Sequence, residues 1–179
     1  MTSQLLFTAL VLAVGVERLA ELILSKRHAS WAFSRGGKEF GRGHFPPMVA
    51  LHTALLVGAL AEVWMLGRPF LPILGWTALA IVIASQSLRW WCIASLGRQW
   101  NTRVIVVPGL PLVSRGPYRL LRHPNDVAVV LEGAALPLVH SAWITAVGFT
   151  ALNAALLARR IQVEEAALAT VAGKQAALR

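Results

Sequence analysis

At 179 residues, 56% hydrophobic and only 14% charged, with a mean hydropathy of +0.62, the chain is too apolar for an ordinary soluble domain, in which about 25% of residues are charged. The net charge of +9 would suit nucleic acid, but the basic residues fall in short loops between apolar runs, as membrane topology requires, so nucleic acid is not an expected partner. The single cysteine, Cys92, lies inside an apolar run, which excludes an intrachain disulfide or a cysteine metal cluster and leaves a packing role. The expectation is one all-α, polytopic membrane domain over residues 1–179.

The first span is about Leu5 to Leu24 and reads as a retained helix, since it lacks the basic start of a signal peptide. It is interrupted by Glu17, Arg18 and Glu21, with the two acids on one helical face. Such groups at membrane depth face a bundle interior or a polar cavity, unless the helix has already reached the interface and Arg18 snorkels. Residues 25–45, with five Lys/Arg and four glycines, read as a surface loop. Pro46-Pro47 opens a second span, about Met48 to Leu66, in which His52 reads first as a hydrogen-bonded packing residue. A tight turn at Gly67-Arg68-Pro69 leads into a third span, about Leu71 to Leu96, with Arg89 near its end. The tryptophans 64, 76, 90, 91, 100 and 143 lie near span ends, as interfacial belts do.

From Gly97 to Arg122 the chain is polar and broken by prolines. Its Val/Ile run at 104–107 stops at Pro108-Gly109, so the segment reads as an ordered loop. It has neither a phosphate-loop glycine pattern nor the strand–helix alternation of a dinucleotide fold. The fourth span is about Pro124 to His140, ending near Pro137, and the fifth about Trp143 to Arg160, followed by an amphipathic tail expected to lie at the interface. Five Lys/Arg in 25–45, five in 97–122 and four from Arg159 onward oppose Arg68 alone on the other side. Five spans with the N-terminus outside and the C-terminus cytoplasmic place all fourteen on one face.

The stretch Ser114 to Glu132, SRGPYRLLRHPNDVAVVLE, joins a basic loop to a helix opened by Pro124, which suits a first helical position because its missing N–H has no helical partner to lose. The free backbone donors of that helix start lie beside Arg119, Arg122 and His123, an arrangement suited to an anionic group.

Arg122-His123-Pro124, preceded by Gly116-Pro117-Tyr118 and followed by Arg160…Glu164-Glu165, resembles the isoprenylcysteine carboxyl methyltransferase family of integral membrane enzymes. Glu17…Glu21, Gly36…Glu39…Gly41, Leu96-Gly97-Arg98-Gln99-Trp100 and Arg103-Val104 are similar to a bacterial branch associated with lipidic phenols or pyrones. The resemblance implies S-adenosylmethionine as cofactor, no metal, a lipophilic acceptor entering from the bilayer, and a bacterial inner membrane with the site on the cytoplasmic side. It implies a cofactor site built by about 97–126 and 158–168. There Leu110, Pro111, Leu112 and Val113 would hold the adenosine part, Tyr118, His123, Pro124 and Asn125 would line the pocket, and Glu164 would pair with polar or cationic groups, with Arg103 as a further contact. Arg160 and His123 would be catalytic, and Arg160 and Glu132 would face the substrate. The family usually has Tyr where this chain has Asp126, which enters the site either as a cofactor contact or as a plain first-turn acid.

The expected activity is transfer of a methyl group to an oxygen, phenol or enol hydroxyl or carboxylate, of a lipophilic acceptor. Candidate bases are His123, Asp126, Glu132 and Glu164. The alternatives are a nicotinamide-dependent enzyme of the membrane sterol-reductase type and a non-enzymatic membrane protein that binds lipid or a partner.

Overall fold

The helix that opens the chain outruns the span read from its hydropathy. In a computed structural model, which describes residues 1–176, α1 runs over Thr2–Ser34, ten residues past the expected end. The extension is helical because Ser25, Ala29 and Ala32, at the four- and three-residue steps of one face, are buried while the charged residues between them point outward. It stops where Gly36 takes φ +75°, a left-handed conformation favoured by glycine, and Gly36 and Gly37 donate to Phe33 and Ala32.

The remaining segment between the first two helices is not a bare loop. Lys38–Phe40 forms a short strand, β1, paired antiparallel with β2, Val104–Val106, in the register Glu39↔Ile105. This ribbon is the one departure from an all-α fold among the described residues. It clips the segment before the second helix onto the segment after the third.

Helix α2 spans Phe45–Met65, α3 Pro72–Leu96, α4 Pro124–Leu138 and α5 Trp143–Ala176. α4 opens at Pro124 and ends one residue after Pro137, as proline at either position requires. The expected terminal helix is instead a continuation of α5, whose backbone runs unbroken through Arg160; residues 177–179 lie outside the described residues. Three helices, α2, α3 and α5, are long and apolar enough to cross a membrane by length and composition.

α4 packs between α3 and α5, and α2 packs along α5. The apolar core, including Val11, Val63, Val82 and Leu136, fills the end of the bundle away from the ribbon. At the same end Glu62 of α2 accepts hydrogen bonds from the backbone N–H groups of Ile144 (3.1 Å) and Thr145 (2.7 Å) and pairs with Arg68 at 2.8 Å. It thereby satisfies donors that the first turn of α5 would otherwise leave open. Large apolar side chains such as Leu5, Leu6, Ile73, Ile83 and Val147 point outward.

Midway along the bundle, α1, α3 and α4 share a charged network. Glu21 is 2% exposed and takes a bidentate pair from Arg89, whose Nε donates to one carboxylate oxygen and whose Nη2 donates to the other at 2.7 Å. Arg18 donates to Glu21 (2.7 Å), to Glu132 (2.9 Å) and to Gln86 (3.0 Å), and Gln86 and Trp90 donate to Glu17. Arg18 and Arg89 are thus interior ion partners and do not snorkel. Gly133 of α4 lets α5 approach, since a Cβ there would lie 1.9 Å from the ring of Phe149.

Candidate functional site

Beyond the ribbon end, the loop after α3 folds back under the bundle. Gly116, at φ +58°, seats against the end of α3, where a Cβ would meet the Ser95 hydroxyl at 2.1 Å, and Arg115 Nε donates to the Ser95 carbonyl at 2.9 Å. That turn brings Tyr118 beneath α3, within hydrogen-bonding contact of Cys92. Burial, reinforced by the Cys92 thiol, pushes the Tyr118 phenol well above its ordinary range, so it stays protonated and offers a ring face and a donor.

The result is a cavity of about 600 Å³. Its apolar side is Leu110, Leu112 and Val113 with Val104 to Val106 of the ribbon and Val107 after it; its polar side is Tyr118, His123, Asn125, Asp126, Arg160 and Glu164, with Arg103 at the edge. The residues expected from the sequence therefore converge, with three exceptions. Pro111 is exposed and Pro124 is buried, and neither borders the cavity. Glu132, expected to face the substrate, is held by Arg18 and borders no described cavity. Arg103, at the cavity's edge, also lies over the ring of Phe45 at 5.0 Å.

His123 occupies the N-cap position of α4 without a side-chain cap. Its Nδ1 is 3.8 Å from Asp126 and its Nε2 3.5 Å from Glu165. Asp126 is 7% exposed and faces the cavity, so it is more than a solvated first-turn acid. One donor atom each from His123, Asp126 and Glu164 lies within 4.8 Å of the other two. Two carboxylates so placed attract positive charge, whether an organic cation or a metal ion.

A second cavity, of about 430 Å³, lies between α1 and α2. Leu12, Gly15, Leu19 and Leu22 of α1 face Met48, Val49, Thr53 and Leu56 of α2 across it, and Val129 of α4 closes one side. Trp100, Asn101, Asn125 and Arg160 border both cavities. This shared wall is a seam where ligands from the two sides can meet. Trp100, grouped by sequence with the interfacial belt, is 2% exposed.

The seam hangs on the extension of α1. Ser25 Oγ donates to Asn101 Oδ1 (2.9 Å) and accepts from the Thr102 backbone N–H (3.1 Å), Asn101 Nδ2 donates back to the Ser25 carbonyl (3.1 Å), and His28 Nδ1 donates to the Trp100 carbonyl (2.8 Å). Thr102 in turn accepts from Arg160 Nη1 at 3.1 Å. No motif marks Ser25 or Asn101 as functional, and Trp100 enters only as the last residue of the Leu96-Gly97-Arg98-Gln99-Trp100 stretch; for Ser25 the available signal is the small-residue spacing at 25, 29 and 32, which argues for a helix. Ser25→Ala should lower the turnover number about fivefold, as loss of a net hydrogen bond of about 1 kcal/mol predicts. Cofactor affinity should change less than twofold and Ser25→Thr should restore turnover; equal losses in both variants, or in affinity, would reject this positioning role.

Residues 78–170 match the isoprenylcysteine carboxyl methyltransferase family, a stretch that contains nearly all of the first cavity. The chain belongs to this family. It is also 37% identical over 164 residues to the uncharacterized protein YpbQ of Bacillus subtilis (strain 168), an alignment covering 91% of this chain and 96% of that protein. The family assignment makes the chain a membrane methyltransferase, in keeping with its three apolar helices. α1 and α2, which form most of the second cavity, lie before the matched family segment.

Proposed function

We propose that the protein transfers a methyl group from S-adenosylmethionine to an oxygen of a lipophilic acceptor, with the cofactor in the loop-lined cavity and the acceptor in the cavity between α1 and α2. The observation that carries this reading is the shared wall: a polar cavity with two carboxylates meets an apolar cavity at Asn125 and Arg160. The donor set fits the cofactor. Leu110, Leu112 and Val113 with the Tyr118 ring suit a flat aromatic base, and Asp126 and Glu164 suit an ammonium and a sulfonium. When bound, the cofactor supplies an activated methyl group on a good leaving group.

The protein then has to align and to exclude water. Arg160 is the cation common to both cavities, anchored through Nη1 on Thr102 with Nε left unpartnered. It stabilises negative charge on the acceptor oxygen, which favours the phenolate or enolate form of a hydroxyl acceptor and orients a carboxylate acceptor. The rival readings predict no nucleoside site for S-adenosylhomocysteine. Titration of purified protein with S-adenosylhomocysteine should give saturable micromolar binding, weakened about tenfold or more by Glu164→Ala as a buried charge partner is lost. Absent binding, or equal affinity in the variant, would remove the cofactor assignment.

All five helices are proposed to cross the bilayer with the N-terminus outside, which places the cofactor cavity on the cytoplasmic side of the cell membrane. Single cysteines at the exposed positions Ser34 and Ser114 should then be labelled from one face of sealed vesicles and one at exposed Leu66 from the other. Labelling of all three from the same face contradicts this topology.

A further inference from the structure

His52, two turns into α2, borders the acceptor cavity with its ring held on both sides. Its Nδ1 lies 2.8 Å from the Met48 carbonyl oxygen, and a carbonyl can only accept, so Nδ1 carries the proton. The ring of Phe149 stands edge-on at 5.2 Å and 86°, in the space that Gly133 leaves on α4. Nε2 of the neutral imidazole therefore has a fixed direction and a lone pair, and it has no hydrogen-bond partner among the described residues. We infer that His52 Nε2 is a specificity-determining group that accepts a hydrogen bond from a hydroxyl on the acceptor head, additional to the oxygen that is methylated.

Depth requires the second oxygen. The seam is level with the start of α2, because Arg103, next to the Thr102 that anchors Arg160, packs on Phe45. His52 is seven residues further along, about 10 Å at 1.5 Å per residue. One oxygen cannot reach both Arg160 and His52, whereas a ring-sized head can bridge them and leave its chain among Leu12, Gly15 and Leu56. A hydroxyl fits the chemistry at that depth: it donates to Nε2 and still accepts, and Arg89, which borders the same cavity, keeps Nη1 without a protein partner. A carboxylate only accepts and would leave Nε2 unpaired. This assignment rests on reading the α1–α2 cavity as the acceptor site.

The test is equilibrium binding to the full-length protein in lipid nanodiscs, comparing a long-chain alkylresorcinol with the alkylphenol bearing the same chain. The second hydroxyl weakens partitioning of the resorcinol into the bilayer, so tighter binding of it cannot come from the lipid, and the readout involves no methyl transfer. Wild-type protein should bind the resorcinol about tenfold more tightly, and His52→Phe, which keeps the packing and removes the acceptor, should bring the two affinities together. S-adenosylhomocysteine binding reports that the variant is folded, and His52→Leu decides in the same way if the phenyl ring proves too large. Equal affinities in the wild type, or a preference that survives loss of the imidazole, overturns the inference. A preference abolished by the substitution in a protein that methylates neither lipid would remove the proposed reaction and leave this binding site standing.

Discussion

Glu21→Ala is expected to yield little or no monodisperse protein after extraction. The substitution leaves Arg89 inside the bundle with no ion partner for any of its three nitrogens, Nη1 having none already, and removes one of Arg18's partners as well. Breaking a buried pair in this way costs about 3–5 kcal/mol, against a total of about 5–15 kcal/mol for a typical protein. Size-exclusion profiles and thermal scans in one detergent check it. The double variant Glu21→Leu/Arg89→Leu should recover much of the loss, because it removes the uncompensated charge along with its partner. A single variant melting with the wild type would show that the network contributes little.

Arg160→Ala should lower methyl transfer by about two to three orders of magnitude, the scale on which loss of a preorganised charge-stabilising donor is felt. S-adenosylhomocysteine affinity should stay within a few fold, because Asp126, Glu164 and Tyr118 remain in the loop-lined cavity proposed for the cofactor. With a phenolic acceptor the pH–rate profile should also move to higher pH, since the guanidinium that favours the phenolate is gone. Arg160→Lys should fall between the two, keeping the charge without the planar fork that reaches Thr102. Activity within threefold of the wild type would remove Arg160 from the reaction.

The ends of α3 were readable because Pro72 and Gly97 punctuate a long apolar run, and the start of α4 because Pro124 follows a basic loop. The end of α1 was not. Ser-Lys-Arg-His has the composition of a loop, and its helical state is decided by one buried face packed on residues 100–102, some seventy positions away. The ribbon was invisible for the same reason, each strand being three residues long with no alternation to detect. Most of the polar lining of the loop-lined cavity was legible because its residues sit in a local motif or in one helix turn of α5. Of the seam, Asn125 and Arg160 were among the expected residues, whereas Trp100 and Asn101 were not, since they matter through contacts with Ser25 and His28. Glu132, expected as a candidate base and at the substrate, has a partner the sequence did not mark, Arg18 on α1.

The charged network also bears on how the chain enters a bilayer. A carboxylate or guanidinium at the centre of a lone inserting helix costs about 2.5–3.5 kcal/mol, so α1, with Glu17, Arg18 and Glu21, and α4, with Glu132, are poor passengers alone. α2, α3 and α5 carry the hydropathy to insert unaided. In the five-span arrangement, α1 emerges from the ribosome ahead of α3 and has to wait for Arg89 and Gln86, about seventy residues later in synthesis, before its charges find partners. Its insertion is then provisional until α3 arrives, so a helix made before its partners is among the last to be secured.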